Sequence, residues 1–361
     1  MTIVNELLLY FVVQFLKKSP PYSLKKRAME ILQNFTQKDW DELFSKASLH
    51  GVDMLLCYSL TKNIGKEWNI PDKQRQRFKE LYVLNLSRSL ILSNELQKTL
   101  ETLKIEGVDA LVLKGASMAQ NYYPFPELRP FNDIDILVHK KDLDKIKDTL
   151  IKSGYTPQEK SQENFSRKYW YSFHFIHKKK KILVEIHWNI AQLKRYKINI
   201  NNIWQKAASF NIGKSNGLMM STEDLIIYQA LHLSYHYYDR LLWLVDIALI
   251  IEKEKKSIDW EKIVKKCTDQ NCRFPVYYAL VYIKDLFKVS IPADSLNRLK
   301  PNNFINYFVK SMLNTKDLPG KKITGNRFFR YPFALLMIDS IRGRLAFGME
   351  FIRNVGDKEY I

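Results

Sequence analysis

Two aspartates stand two apart in Asp133-Ile134-Asp135-Ile136-Leu137-Val138. The alternation reads as a strand, so both carboxylates leave one face while Ile134, Ile136 and Val138 leave the other. Like charges that close repel, and a shared hard cation such as Mg²⁺ offsets the repulsion while keeping coordination positions for phosphate oxygens. The same alternation recurs in Leu183-Val184-Glu185-Ile186-His187-Trp188 and sets Glu185 and His187 opposite Val184, Ile186 and Trp188. Glu185 thus offers a third carboxylate from a neighbouring strand. Upstream, the apolar run Ala110 to Leu113 reaches Lys114-Gly115-Ala116-Ser117. There Gly115 lets the backbone approach a polyphosphate, and Ser117 can donate a hydrogen bond near a helix start. Such a set suits phosphoryl or nucleotidyl transfer. The segment has neither the GxxxxGK[ST] spacing of a P-loop nor the GxGxxG of a dinucleotide turn, and both readings are dropped.

Other residues carry two readings each. Arg129 follows Pro124 and Pro126 and precedes Pro130; it either makes a bidentate phosphate contact or anchors this proline-rich connection by a salt bridge. His187 can orient Glu185, touch phosphate or sit at the edge of the core, with orientation or packing favoured. His232 and His236 are four apart on an expected helix but have no HExxH pattern and no clear third ligand, so a zinc site is disfavoured. His232 and Asp246 are expected on the acceptor side, joining a helical region to the catalytic face, with a buried packing contact as the other reading of Asp246.

The elements that must position these groups follow from periodicity. Thr36 and Asp39 form a capping box before the stripe Trp40, Leu43, Phe44 and Ala47, and a second helix runs from about Asp72 to Leu103 and ends at Gly107. Strands are expected at 110–113 and 134–138, a helix between them at 117–123, and another helix through Leu143, Ile146 and Leu150 to Gly154. Phe173 to Ile176 and Ile182 to Trp188 flank the basic turn His177 to Lys181, which predicts a hairpin. The stretch from about Ile190 to Met220 is rich in Asn, Lys and Gly and reads as a connection. Ser221 and Asp224 then cap a buried helix, and helices continue through about Val309.

Composition bounds the rest. The chain has 361 residues, 46% hydrophobic and 26% charged, enough for a substantial core. Its 57 Lys and Arg against 38 Asp and Glu give a net charge of +19, which attracts nucleic acid, anionic lipid or nucleotide phosphates, or reflects an AT-rich coding bias. No RNP, KH or zinc-knuckle signature specifies nucleic acid, which stays an unspecified partner. Cys57, Cys267 and Cys272 form neither a disulfide framework nor a CxxC pair, so a reducing, cytoplasmic location is expected. Leu7 to Leu16 is shorter than the ~20 residues a span requires, and Asp246 interrupts Leu241 to Ile251, so no transmembrane segment is expected.

Taken in order, Leu113-Lys114-Gly115, Tyr123-Pro124, Arg129, Asp133 to Val138, Glu185 to Trp188, Ser221 to Leu225, Ala230 to Leu233 and Leu242 to Ile247 resemble the uncharacterised nucleotidyltransferase family, within the DNA polymerase beta-like nucleotidyltransferase superfamily. The resemblance implies an α+β fold, a small mixed-sheet nucleotidyltransferase domain with flanking and C-terminal helices. The expected regions are an N-terminal helical region (1–105), a catalytic core (106–190), a connecting segment (191–220), a helical domain (221–310) and a basic C-terminal extension (311–361). It implies Asp133, Asp135 and Glu185 as catalytic and metal-binding residues, and Lys114, Gly115, Ser117 and Arg129 as nucleotide-binding residues. Ala116 departs from the superfamily's Gly-Ser loop, and Glu185 from its more common third Asp. The implied reaction uses Mg²⁺, or Mn²⁺, to transfer a nucleoside monophosphate from an NTP, with ATP expected, to a hydroxyl acceptor, releasing pyrophosphate. The competing expectation is a catalytically weak nucleotide-binding or regulatory protein acting through a partner.

Overall fold

The computed structural model describes residues 1–17, 20–61, 70–158, 171–192, 195–213, 215–313, 317–319 and 327–354. The N-terminal region is helical: α1 (Ile3–Lys17), α2 (Tyr22–Gln33), α3 (Gln37–Leu49), α4 (Asp53–Thr61) and α5 (Asp72–Ile105). Thr36 caps α3 as the sequence predicts, its hydroxyl accepting from the Asp39 amide while Asp39 accepts from the Thr36 amide at 2.8 Å. Gly107, at a φ of +66°, turns the chain out of α5.

The sheet contains β1 (Leu111–Val112), β2 (Asp133–Leu137), β3 (Tyr155–Pro157), β4 (Ser172–His177), β5 (Leu183–His187), β6 (Ala208–Ile212) and β7 (Ser215–Met219) in the order β3-β4-β5-β2-β1-β7-β6. β2 and β5 run parallel, as do β1 and β7, and the other neighbours are antiparallel, so the sheet is mixed. Helices α6 (Lys114–Tyr122), α7 (Leu143–Lys152) and α8 (Ile200–Gln205) complete this part. The fold is the α+β arrangement of a mixed sheet with flanking and C-terminal helices.

The stretch from about Ile190 to Met220, which reads as a connection, differs most from expectation. It holds α8 and the β6–β7 hairpin, and β7 pairs with β1 at Leu111 and Leu218, so the sheet is completed by residues beyond 190. The hairpin was hard to read because β6 buries only Phe210 and Ile212, and β7 only Gly217. α6 also begins three residues earlier than expected, so Gly115, Ala116 and Ser117 lie in its first turn rather than in a loop.

Two apolar layers hold the sheet. Ile134, Ile136, Val184, Ile186, Phe173 and Phe175 pack beneath Leu96, Leu100 and Leu103 of α5 and Ile146 and Leu150 of α7. On the other face Leu111, Leu113 and Leu137 join a larger core shared with α1 and the C-terminal helices α9 (Thr222–Tyr235), α10 (Leu241–Glu254), α11 (Trp260–Asp269) and α12 (Arg273–Phe287). Beyond them lie α13 (Ala293–Leu299), α14 (Asn303–Met312), α15 (Arg327–Leu336) and α16 (Ile341–Asn354). The apolar run 7–16 is the buried part of α1, and no described helix is long and apolar enough to cross a membrane. Residues 314–316, 320–326 and 355–361 of the basic extension lie outside the described residues.

Candidate active site

Alternation along two parallel strands builds the site. Register pairs Asp135 of β2 with Glu185 of β5, and His174 of β4 with Glu185, so these side chains share the face opposite the α5/α7 layer. Two residues after Asp135 the same face turns apolar at Leu137, which is fully buried. The polar patch is therefore confined to one end of the sheet. Asp135, Glu185 and His187 each bring a ligand-capable atom within 4.8 Å of the others. His187 Nε2 lies 3.1 Å from Asp135 Oδ1 and 3.4 Å from Glu185 Oε1.

Lys114 closes the cluster. Its ammonium donates to Asp135 Oδ1 at 2.9 Å and lies 3.5 Å from Glu185. The residue sits at the junction of β1 and α6 with a φ of +35°, a backbone region that costs an L-residue free energy. The unusual backbone thus occurs at the residue whose cation enters the acidic cluster.

The electrostatics follow from this crowding. The charge of Asp135, together with burial and Glu185, pushes the Asp133 carboxyl up to about 6 against the opposing pull of Lys114 and Arg129. Burial works against ionised Glu185, yet His187, His174 and Lys114 hold its carboxyl well below the usual range. Burial likewise opposes a charged Lys114, but Asp135 leads the groups that hold its ammonium well above the ordinary value. His187 is raised by Glu185 and Asp135 in spite of burial. One lysine therefore pairs with two of the three carboxylates, and the third, Asp133, takes up a proton most readily.

This donor set fits a hard divalent cation. Three carboxylates from adjacent strands face one cavity, and a cationic ammonium already stands among two of them as a charge substitute. Asp135, Glu185 and His187 could hold a metal ion, and Asp133 lines the same cavity beside them.

The remaining expected residues separate into cavity walls and supports. Lys114, Gly115, Arg129, Asp133, Asp135, Glu185 and His232 line a cavity of about 410 Å³. Ser117 does not: it is fully buried, and its hydroxyl has no hydrogen-bond partner among the described residues. Gly115 is required by packing, since a Cβ there would meet Phe131 Cβ at 2.5 Å and Arg129 Nη1 at 2.9 Å. Arg129 is committed to Asp246, with Nη2 donating at 2.8 Å to a carboxylate that is fully buried and also accepts from the Tyr123 hydroxyl at 2.8 Å. Asp246 is thus brought to the proline-rich connection rather than to the cavity, which is its packing reading. His232 packs against His236 and Trp243, and burial and Lys114 hold it well below its ordinary pKa, so it faces the cavity neutral.

Sequence reasoning passed over His174, whose Nε2 lies 3.5 Å from Glu185, although carrying the alternation into Ser172-Phe173-His174 would have found it. Tyr171 and Tyr228, beside Lys114, had no such signal.

Compared with known proteins, the sequence matches the uncharacterised nucleotidyltransferase family over residues 36–288. The chain belongs to that family. This nucleotidyltransferase family member is also similar to a solved structure, an antigenic nucleotidyltransferase-like protein from Paracoccidioides brasiliensis, at 16% identity and a TM-score of 0.37, covering 58% of this chain and 95% of that one. No curated protein matched the sequence. The family match spans α3 through α12 and so includes every residue of the acidic cluster together with the helices that back it.

Proposed function

We propose that the protein transfers a nucleoside monophosphate from an NTP, with ATP as donor, to a hydroxyl on an acceptor. The observation that carries this reading is the register of Asp135 with Glu185, two residues from Asp133 and around the Lys114 ammonium, in a chain of this family. Magnesium held by the three carboxylates, or manganese in its place, supplies charge neutralisation of the polyphosphate and a lowered pKa for the attacking hydroxyl. Glu185, held ionised by its cationic neighbours, is suited to keeping its charge through the cycle. Lys114 lies at the cavity wall, where its ammonium meets the negative charge that grows on the departing phosphates. The acceptor oxygen attacks the α-phosphorus and forms the new O–P bond as the bridging bond to the β-phosphate breaks. Pyrophosphate leaves, and the hydroxyl proton passes to a carboxylate of the cluster.

The reading is tested by incubating the protein with each α-labelled NTP, Mg²⁺ or Mn²⁺ and fractionated cell extract. Label transfer with pyrophosphate release is expected from ATP and is lost in Asp133→Asn and Asp135→Asn. Undiminished transfer by folded variants would overturn the assignment, whereas nucleotide binding without turnover in every fraction would favour a regulatory nucleotide-binding protein.

A further inference from the structure

A second cavity of about 320 Å³ adjoins the acidic one, and the two share Lys114, Tyr171, His232, Tyr235 and His236 as a common wall. Their characters are opposite. The acidic cavity holds the carboxylates, whereas the second is lined by three cations, Lys114, Arg195 and Arg330, with no carboxylate among the described residues that line it. Six tyrosines stand among its remaining walls. Tyr228 is 2% exposed, faces this cavity, and its hydroxyl has no hydrogen-bond partner among the described residues. The Arg195 Nε is likewise buried without a partner among the described residues, while its guanidinium stacks 4.2 Å from the Phe347 ring centroid. A stacked guanidinium is fixed in orientation, and a buried donor left unpaired is costly unless a ligand supplies the acceptor. Burial keeps the Tyr171 and Tyr228 hydroxyls protonated, so they too can donate.

We propose that this cavity binds the acceptor, and that the acceptor is a small phosphate-bearing molecule whose hydroxyl reaches across the shared wall to the nucleotide. The inference rests on the transferase reading. A two-substrate transfer needs two pockets that meet at the reacting atoms; the carboxylates assign the nucleotide to the first, which leaves the basic, tyrosine-walled one for the second substrate. Guanidinium groups and hydroxyl donors without acidic competition select an anion, and the flanking rings favour a ligand with an apolar or planar body. The volume suits a small molecule rather than a polymer surface. Lining residues Ala334, Met337 and Phe347 come from α15 and its surroundings through α16, so the C-terminal extension becomes a wall of the site.

Isothermal titration with phenyl phosphate, and with phenyl glucoside as its neutral counterpart, tests the proposal in metal-free buffer. Phenyl phosphate is expected to bind at least tenfold more tightly than the glucoside, and Arg195→Met to weaken it at least tenfold. Tyr228→Phe removes only the unpaired hydroxyl, so binding should fall several-fold with no loss of thermal stability. In a separate titration with Mg²⁺ restored, saturating Mg·ATP should not displace the probe. Equal binding of the two probes, or binding indifferent to both Arg195→Met and Tyr228→Phe, overturns the proposal, and competitive displacement by ATP assigns the cavity to the nucleotide instead. Arg195-dependent binding in a protein that transfers no label supports the anion site and overturns the transferase reading alone.

Discussion

Two buried ionic groups lie close in this molecule and are built on opposite principles. At the junction between the sheet and α10, Arg129 and Asp246 meet one to one, the Tyr123 hydroxyl donates a further hydrogen bond to Asp246 Oδ1, and the Pro130 carbonyl accepts from Nη1. That group is closed. On the sheet face, one lysine and two histidines, His187 and His174, serve Asp133, Asp135 and Glu185, the neutral His232 adds no charge, and the cluster opens to a cavity. A structural ion pair satisfies every atom it buries, because an unpaired buried charge is expensive. A site that must bind a cation and phosphates keeps charge unbalanced and accessible. Balance, more than burial or distance, separates the two.

The largest effect should come from upsetting the open group. Asp135→Asn and Glu185→Gln are each expected to lower label transfer by about 10³-fold or more, the several kcal/mol that metal-held charge supplies to such a step, while circular dichroism stays native. Asp246→Asn should do the reverse, destabilising the fold by about 3–5 kcal/mol in a urea titration because Arg129 is left charged and unpaired, with transfer per folded molecule retained. If Asp246→Asn were instead stable and inactive, the distinction between a closed support and an open site would fail.

Gly115→Ala tests the boundary between the groups, since the new methyl would press on Phe131 and Arg129; a loss of about 1–3 kcal/mol in stability is expected. The smallest effect is a gain. Asp133 has a folded-state value of about 6 against an ordinary 3.8, so the stability linked to its protonation is fully present below pH 4 and is lost as pH rises through 6. In EDTA at pH 7, Asp133→Asn should therefore be more stable than wild type by on the order of 1–2 kcal/mol, with the difference vanishing near pH 4. Adding Mg²⁺ should narrow the difference by stabilising wild type more than the variant. A differential-scanning series over pH with and without Mg²⁺ would measure all of this.

What the sequence revealed follows the same division. The site strands were legible because β2 and β5 each put apolar side chains on one face and acids on the other, and alternation of residue type records that asymmetry directly. The capping residues Thr36 and Ser221 were legible because capping is local chemistry. The β6–β7 hairpin was not, since its outer residues Ala208, Ser209 and Asn211 are exposed and little apolar pattern remains. β3, three residues long, carries too short a signal. The Arg129–Asp246 pair joins positions far apart in the chain, and no local pattern links them. The tyrosine-walled cavity draws on residues from Lys114 to Phe347, and no spacing rule gathers such a set.

The pairing of Leu111 with Leu218 has a consequence for how the chain is made and cut. As the polypeptide emerges, β1 can find β2 early, but its second edge stays bare until β7 has been synthesised. A fragment ending at 190 would carry every carboxylate of the cluster and still expose that bare edge, inviting pairing with another copy and aggregation. A fragment extended through Met219 would cover that edge with β7, but the face carrying Leu111, Leu113 and Leu137 would still lack the C-terminal helices that bury it, so the sheet that carries the acids depends on chain made after it.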